Sequence, residues 1–398
     1  MTAPRTAPHV AHIGFFHDPA RRVPQALLRA WPTLVDVAEA ACGAGVQLSV
    51  IQACAQREEL TQGGVRYHFL PFGVEAQHGG MRALGTLLRA LAPDLLHVHG
   101  LGFCREVLAL ASLVPDVPLL LQDHANRPPR IWRRALWRRA LSTASGLAFC
   151  AADQAAPFAR AGLLSAQTPI YTIPESTSRF SPGDRQAARR DTGVEGEPAV
   201  LWVGHLDANK DPLTVLDGIS AAADALPGMR LYCCYGVAPL LRQVESRIAA
   251  DPQLRERVRL LGRVAHERVE QLMRAADIFV LGSHREGSGY SLIESLACGL
   301  PPVITDIPSF RALTGAGAVG KLWPCGDRSL LCAALKTVAQ QTGSDARRAV
   351  RAHFERELSL TALGAKLAAM YHDALERAPG APALRLRAPV SQPQPAAR

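Results

Sequence analysis

Apolar and polar positions along this chain follow two alternating regimes. Short runs dense in Val, Leu, Ile and aromatic residues occur at 9–16, 46–53, 65–72, 94–100, 117–124, 146–150 and 169–174. Runs of this length and composition predict strands buried on both faces. Helical stretches are expected between them, at 24–42, 81–92, 130–143 and 153–162. The segment "SPGDRQAARRDTGVEGEP" (181–198) is rich in Gly, Pro and charge and predicts a domain junction. The alternation then restarts, with strands expected at 199–205, 229–236, 258–263, 277–283 and 301–306. Pro212, Gly228, Pro239 and Gly262 bound the intervening helices. Residues 344–376 predict a helical close, and the Pro/Ala-rich stretch 378–398 predicts a disordered tail.

Strands alternating with helices imply parallel sheets covered on both faces. The expected fold class is therefore α/β, with two doubly wound domains facing each other across a cleft, over 1–180 and 181–377. Ligands of such sheets bind beyond the carboxyl ends of the strands, so the loops that follow strands are where chemistry is sought.

Composition narrows the class. The chain has 398 residues, 48% hydrophobic and 20% charged, as expected of a soluble globular protein with two cores. No stretch reaches the length of uncharged apolar residues needed to cross a bilayer, and the N-terminus lacks an export pattern. Nine cysteines, odd in number and scattered through apolar segments, read as reduced core thiols of a cytoplasmic protein. They show no CxxC or Cys/His ligand spacing, so no metal site and no cofactor are expected. Net charge is +9, almost all of it from arginine; the chain has only four lysines, at 210, 321, 336 and 366. That balance suits an anionic small molecule, an anionic membrane surface or nucleic acid.

The stretch "HREGSGYSLIESLACGLPPVITD" (284–306) follows an expected strand. Gly287 and Gly289 allow the backbone to approach a ligand closely. A helix starting near Tyr290–Ser291 aims free N–H groups and a positive dipole end at the same point, which is an anion site. Glu286 precedes that point and Glu294 lies about a turn beyond it, and carboxylates accept hydrogen bonds from hydroxyls. A phosphate flanked by two hydroxyl-bearing groups describes a sugar nucleotide. Ser291-x-x-Glu294 also reads as a capping box, which would explain Glu294 by helix stability alone.

Three further constellations stand out. "WVGHLDANKDP" (202–212) places Lys210 after a strand, either as a solvated loop residue or as a point charge for a diphosphate oxygen. His97, His99 and His124 end two strands; His124, beside Asp123, has the best claim to the cleft. "RPPRIWRRALWRRALS" (127–142) carries six arginines and no acid, with Ile131, Trp132, Ala135, Leu136 and Ala140 forming an apolar face on a helix. That pattern reads either as a surface helix on its own sheet or as a contact for an anionic membrane surface. No nucleic-acid-binding motif accompanies the charge, so no nucleic-acid partner is expected.

"EGSGYSLIESLACGLPPVITD" resembles the signature of family-4 retaining glycosyltransferases of the GT-B fold, the glycosyl transferases of group 1. "VGHLDANKDPLTVL", "AADIFVLGSHREG", "PSFRAL" and "GKLWPCGD" resemble neighbouring elements of that family, and "DLLHVHG", "VPLLLQDH", "AFCAADQ" and "IPESTSRFSP" stand in the expected order. The resemblance covers most of the chain and is strongest over 199–325. It implies two Rossmann-like domains, an acceptor side before residue 181 and a nucleotide-sugar side after it. It further implies that Glu286 contacts donor-sugar hydroxyls and that Glu294 binds the ribose. Backbone groups of Gly287, Ser288, Gly289, Tyr290, Ser291 and Leu292 would hold the phosphates, Lys210 would pair with the diphosphate, and His124 would lie by the reacting sugar. The activity implied is transfer of a sugar from a nucleotide-diphosphate sugar to a glycan or glycolipid acceptor, with retention and without an essential metal. Such enzymes work in polysaccharide or lipopolysaccharide assembly, in the cytoplasm or peripherally at the inner face of the plasma membrane.

Three departures bear on this. His205 stands where the family usually has an arginine, and it is a poorer clamp for a diphosphate. Glu175-Ser176-Thr177-Ser178 replaces the usual Asn-Gly-Val-Asp, and "FFHDPARRV" (15–23) lacks paired glycines; both are expected to alter the acceptor side. The loop with Arg21 and Arg22 reads as surface, or as a contact for an anionic acceptor. Alternatives are a related sugar-phosphate synthase or epimerase, and a non-catalytic nucleotide-sugar or glycan-binding subunit. No G-x-G-x-x-G follows the first strand, which disfavours a dinucleotide oxidoreductase.

Overall fold

The computed structural model describes residues 7–72 and 80–378, so the expected tail lies, apart from Ala378, outside the described residues. The first sheet comprises β1 (His9–Gly14), β2 (Gln47–Ala53), β3 (Glu58–Gln62), β4 (Val65–Leu70), β5 (Leu95–His99), β6 (Leu119–Gln122), β7 (Gly146–Phe149) and β8 (Ile170–Thr172). Their spatial order is β3-β4-β2-β1-β5-β6-β7-β8, parallel throughout except for the β3–β4 pair. The second sheet comprises β9 (Ala199–Val203), β10 (Arg230–Cys234), β11 (Val258–Gly262), β12 (Ile278–Leu281), β13 (Pro302–Thr305) and β14 (Lys321–Trp323). It is entirely parallel, in the order β11-β10-β9-β12-β13-β14. The apolar runs that predicted strands are the central strands of these sheets, buried along nearly their whole length. In each sheet the order reverses beside its first strand, between β1 and β5 and between β9 and β12, and the reversal opens a crevice at the carboxyl ends.

Several expectations need correction. β3 carries the polar sequence Glu-Glu-Leu-Thr-Gln at a sheet edge, and β14 spans three residues, so neither shows an apolar run. The expected helix at 24–42 is two helices, Pro24–Ala30 and Pro32–Gly43, because Pro32 starts a new one. The expected junction 181–198 contains the helix Arg185–Thr192, capped by the Asp184 carboxylate and ended by left-handed Gly193. Arg185 and Arg189 of that helix each reach the buried Asp277 carboxylate at 2.6 Å, which ties the segment to the second sheet.

The helical close also divides. Helix Ser344–Glu357 packs on helix Tyr290–Ala297 of the second domain. Helix Leu360–Arg377, expected with the second domain, crosses back to the first. Its Leu363, Leu367, Met370, Tyr371 and Ala374 enter the core formed by β1, β2 and helix Pro32–Gly43. Tyr171 also donates to Asp373 at 2.6 Å. The amphipathic pattern predicted this helix but carried no information on which of two apolar cores would receive it.

Candidate active site

Two loops leave the carboxyl ends of β9 and β12, side by side at the crevice of the second sheet. They are stitched together: the His284 N–H donates to Asn209 O at 2.8 Å, and the Asn209 amide donates to Arg285 O at 2.9 Å. Asp207 receives the Lys210 N–H at 2.9 Å and shapes the first loop. The result brings Lys210 Nζ to 2.5 Å from Glu286 Oε1, with both side chains largely shielded from solvent. The two expected residues therefore meet as an ion pair.

Helix Tyr290–Ala297 begins directly after this pair. Gly289, at φ +82°, is its N-cap, and no side chain caps it. A left-handed conformation at that point is costly for other residues. The N–H of Leu292 already donates to Gly289 O at 3.0 Å, so Leu292 is not free to hold a phosphate; Tyr290 and Ser291 present the helix-end N–H groups. The proposed capping box is absent, because the helix starts one residue before Ser291 and Glu294 turns elsewhere. Its carboxylate accepts from His266 at 2.6 Å. That hydrogen bond and the Glu294 charge hold the His266 pKa above its ordinary value, against partial burial.

The first domain closes over the same loop. The Gln154 amide donates to Glu286 O at 2.9 Å and Gly287 O at 3.1 Å, and Ser288 Oγ accepts from the Glu175 N–H at 2.8 Å. Ser288 is thus a pin between the domains in this structure. Gly287 permits the approach: a Cβ there would run into Glu175 Oε1. Glu175, expected to alter the acceptor side, sits against Gly287. Its Oε2 accepts from His124 Nδ1 at 2.9 Å and from the Tyr290 hydroxyl at 3.4 Å, while its buried Oε1 has no partner among the described residues.

His124 follows β6, as expected for a cleft residue. Burial alone would lower its pKa, but the hydrogen bond and charge of Glu175, helped by Asp123, outweigh burial and raise it. Burial pushes the Asp123 carboxyl up to about 6. His205 does not join this group; it is exposed, and its Nδ1 accepts from the Val237 N–H at 3.2 Å. Arg22 pairs with Asp18 at 2.8 Å, so only Arg21 of that loop remains exposed without such a partner. Gln154 and His266 went unrecognised, and Glu175 was noticed only as a departure from the usual sequence, because their contacts run across the domains or between distant helices.

Residues 184–353 match the family described as Glycosyl transferases group 1. Mannosylfructose-phosphate synthase from Agrobacterium fabrum is 35% identical over 148 residues, covering 34% of this chain and 32% of that protein. GDP-mannose:cellobiosyl-diphosphopolyprenol alpha-mannosyltransferase from Xanthomonas campestris is 26% identical over 234 residues, covering 56% and 59%. The matched part thus spans about a third of the first relative and about three fifths of the second. Sucrose-phosphate synthase from Thermosynechococcus elongatus superposes with a TM-score of 0.66 at 18% identity, covering 93% of this chain and 99% of that one. Anabaena Alr3699/HepE, solved in complex with UDP, does so at 0.68 and 17%, covering 92% and 99%. The architecture is the two-domain GT-B fold, and residues 184–353 of its second domain are similar to the group 1 glycosyl transferases.

Proposed function

We propose that this protein transfers a sugar from a nucleotide-diphosphate sugar to a glycan or lipid-linked acceptor, with retention at the anomeric carbon and without a metal at the diphosphate. The observation that carries this is the Lys210–Glu286 pair beside the uncapped N-terminus of helix Tyr290–Ala297, whose Tyr290 is joined to His124 through Glu175. Donor binding would separate the pair, Lys210 turning to a diphosphate oxygen and Glu286 to a sugar hydroxyl. The N–H groups of Tyr290 and Ser291 add to the positive field where charge develops on the leaving group. Glu294, once released by His266, is placed about one turn further along for a ribose hydroxyl. The Xanthomonas relative's printed donor, GDP-mannose, and the UDP in the Anabaena structure belong to those proteins; both are of the chemical class this loop fits.

The test is turnover of UDP- and GDP-sugars with glycan and lipid-linked acceptors, with the anomeric configuration of the product read by NMR. Retained configuration, at a rate unchanged by added Mg²⁺, is expected. An inverted product would overturn retention. Donor binding without transfer or hydrolysis would favour a non-catalytic binding subunit.

A lipid-linked acceptor requires the protein to reach a membrane, and we infer a peripheral site on the cytoplasmic face around the arginine segment. No helix among the described residues is long and apolar enough to cross a membrane. The expected single helical face over 130–143 does not form. Ile131–Arg133 is a separate turn, and helix Arg134–Leu141 buries Trp137, Ala140 and Leu141. Ile131 and Trp132 are left 73% and 69% exposed, with the Arg130 guanidinium 5.3 Å from the Trp132 ring. An exposed apolar pair amid arginines suits an anionic interface. Sedimentation with phosphatidylglycerol vesicles, but not with neutral ones, is expected for the native chain and should weaken in an Ile131→Ser/Trp132→Ser variant. Equal binding to both lipids would remove the idea.

A further inference from the structure

We propose that His12, His97 and His99 bind one divalent transition-metal ion, zinc by their chemistry, at the strand-order reversal of the first sheet. His97 and His99 alternate along β5 and so share one face of the sheet. β1 pairs with β5 so that His12 lies opposite His97 and Gly14 opposite His99. The three rings cluster, with centroids 4.5–4.9 Å apart, and one ligand atom from each lies within 4.8 Å of the other two.

The individual nitrogens support a ligand set. His12 Nδ1 and His99 Nε2 are 3.4 Å apart, long for a hydrogen bond. That spacing is close to the edge of a tetrahedron with metal–nitrogen bonds of about 2.0–2.1 Å. His97 Nε2 is buried and has no hydrogen-bond partner among the described residues. A buried imidazole nitrogen left bare is costly unless something fills the place. Each ring also has its other nitrogen held: His12 Nε2 by the Tyr371 hydroxyl at 2.7 Å, His97 Nδ1 by the same hydroxyl at 3.0 Å, and His99 Nδ1 by His124 Nε2 at 3.2 Å. Such outer partners orient metal-bound histidines.

Three imidazoles without thiolate or carboxylate suit zinc, cobalt, nickel or copper, and leave a fourth position for a small ligand such as water. The sequence carried an expectation of no metal site, because His12 and His99 are 87 residues apart and only strand pairing unites them. The ion would lie behind the cleft, joined to it through His99, His124 and Glu175, and would orient His124 without touching the diphosphate. Tyr371, from the last helix, would be a positioning residue for the ligands.

The test uses the full chain, stripped with EDTA, dialysed, and titrated with Co²⁺ as a spectroscopic probe. One Co²⁺ per chain is expected, with visible d–d absorption that Zn²⁺ removes by displacement and with a raised thermal midpoint. His12→Gln and His97→Gln should each lose the absorption and the midpoint shift, while His284→Gln, at the surface, keeps both. Absence of stoichiometric Co²⁺ or Zn²⁺ binding by the native chain overturns the proposal, as does full binding by either of the first two variants. Should those variants fail to fold, X-ray absorption of the zinc-loaded native chain decides: three imidazole nitrogens uphold the site, and a sulfur or carboxylate first shell overturns it.

Discussion

Lys210→Ala and Glu286→Gln are each expected to lower the rate of sugar transfer by about a hundredfold to a thousandfold, the loss typical when a preorganised charge-stabilising group is removed. The two side chains are paired at 2.5 Å in a largely shielded place, and each is positioned by loop contacts that neither substitution disturbs. In the proposed role Lys210 would matter most when the departing diphosphate gathers charge, so Lys210→Ala should act mainly on kcat. Glu286 would contact the donor sugar in both ground and transition states, so Glu286→Gln should also raise KM. Glutamine preserves shape and leaves Lys210 a hydrogen-bonding partner, which spares the fold. Steady-state kinetics, with thermal midpoints close to that of the native protein, is the measurement. Activity within a few-fold of native in both variants would remove this site assignment.

Glu175→Gln should make the protein lose a pH-dependent share of its stability, about 1.5 kcal/mol near pH 6, the low end for a hydrogen bond to a charged group. Burial lowers the His124 pKa, yet Glu175 and Asp123 raise it above 6.5 overall. A histidine whose folded pKa is raised contributes stability that is fully present below 6.5 and is lost as pH rises through the folded value. Thermal midpoints of the metal-free chain should therefore decline across that window relative to the metal-free variant, in which burial leaves His124 neutral. The two curves should converge on the alkaline side. Curves that stay parallel from pH 6 to pH 8.5 would show that the His124–Glu175 contact at 2.9 Å carries no net charge coupling. The same substitution removes a negative charge beside Gly287, so tighter donor binding should accompany it.

The loop and helix start proposed for the donor were legible in the sequence because their parts are local. Glu286, Gly287, Gly289 and the start of helix Tyr290–Ala297 lie within twelve residues, and the strand that presents them is a short apolar run. Even there, the capping box was a false lead: the spacing of Ser291 and Glu294 fits one, and only the positive φ of Gly289 and the His266 contact exclude it. Glu175 attracted notice as an unusual residue, but its contacts were not foreseen, because its neighbours Ser288 and Tyr290 are more than a hundred residues away.

What the sequence determined by itself is the set of elements and where chemistry was to be sought: apolar runs too short for helices had to be buried strands, and a glycine pair after such a strand marked a place where the backbone can approach a ligand closely. Tertiary structure alone decided what depends on pairing between distant segments. It brought His12 beside His97 and His99 through strand register, set Glu175 against Gly287 across the two domains, and carried helix Leu360–Arg377 back to the first core. The physical reason is that periodicity specifies which face of an element is apolar, whereas the partner of that face is chosen by shape and by the competition of every other buried surface.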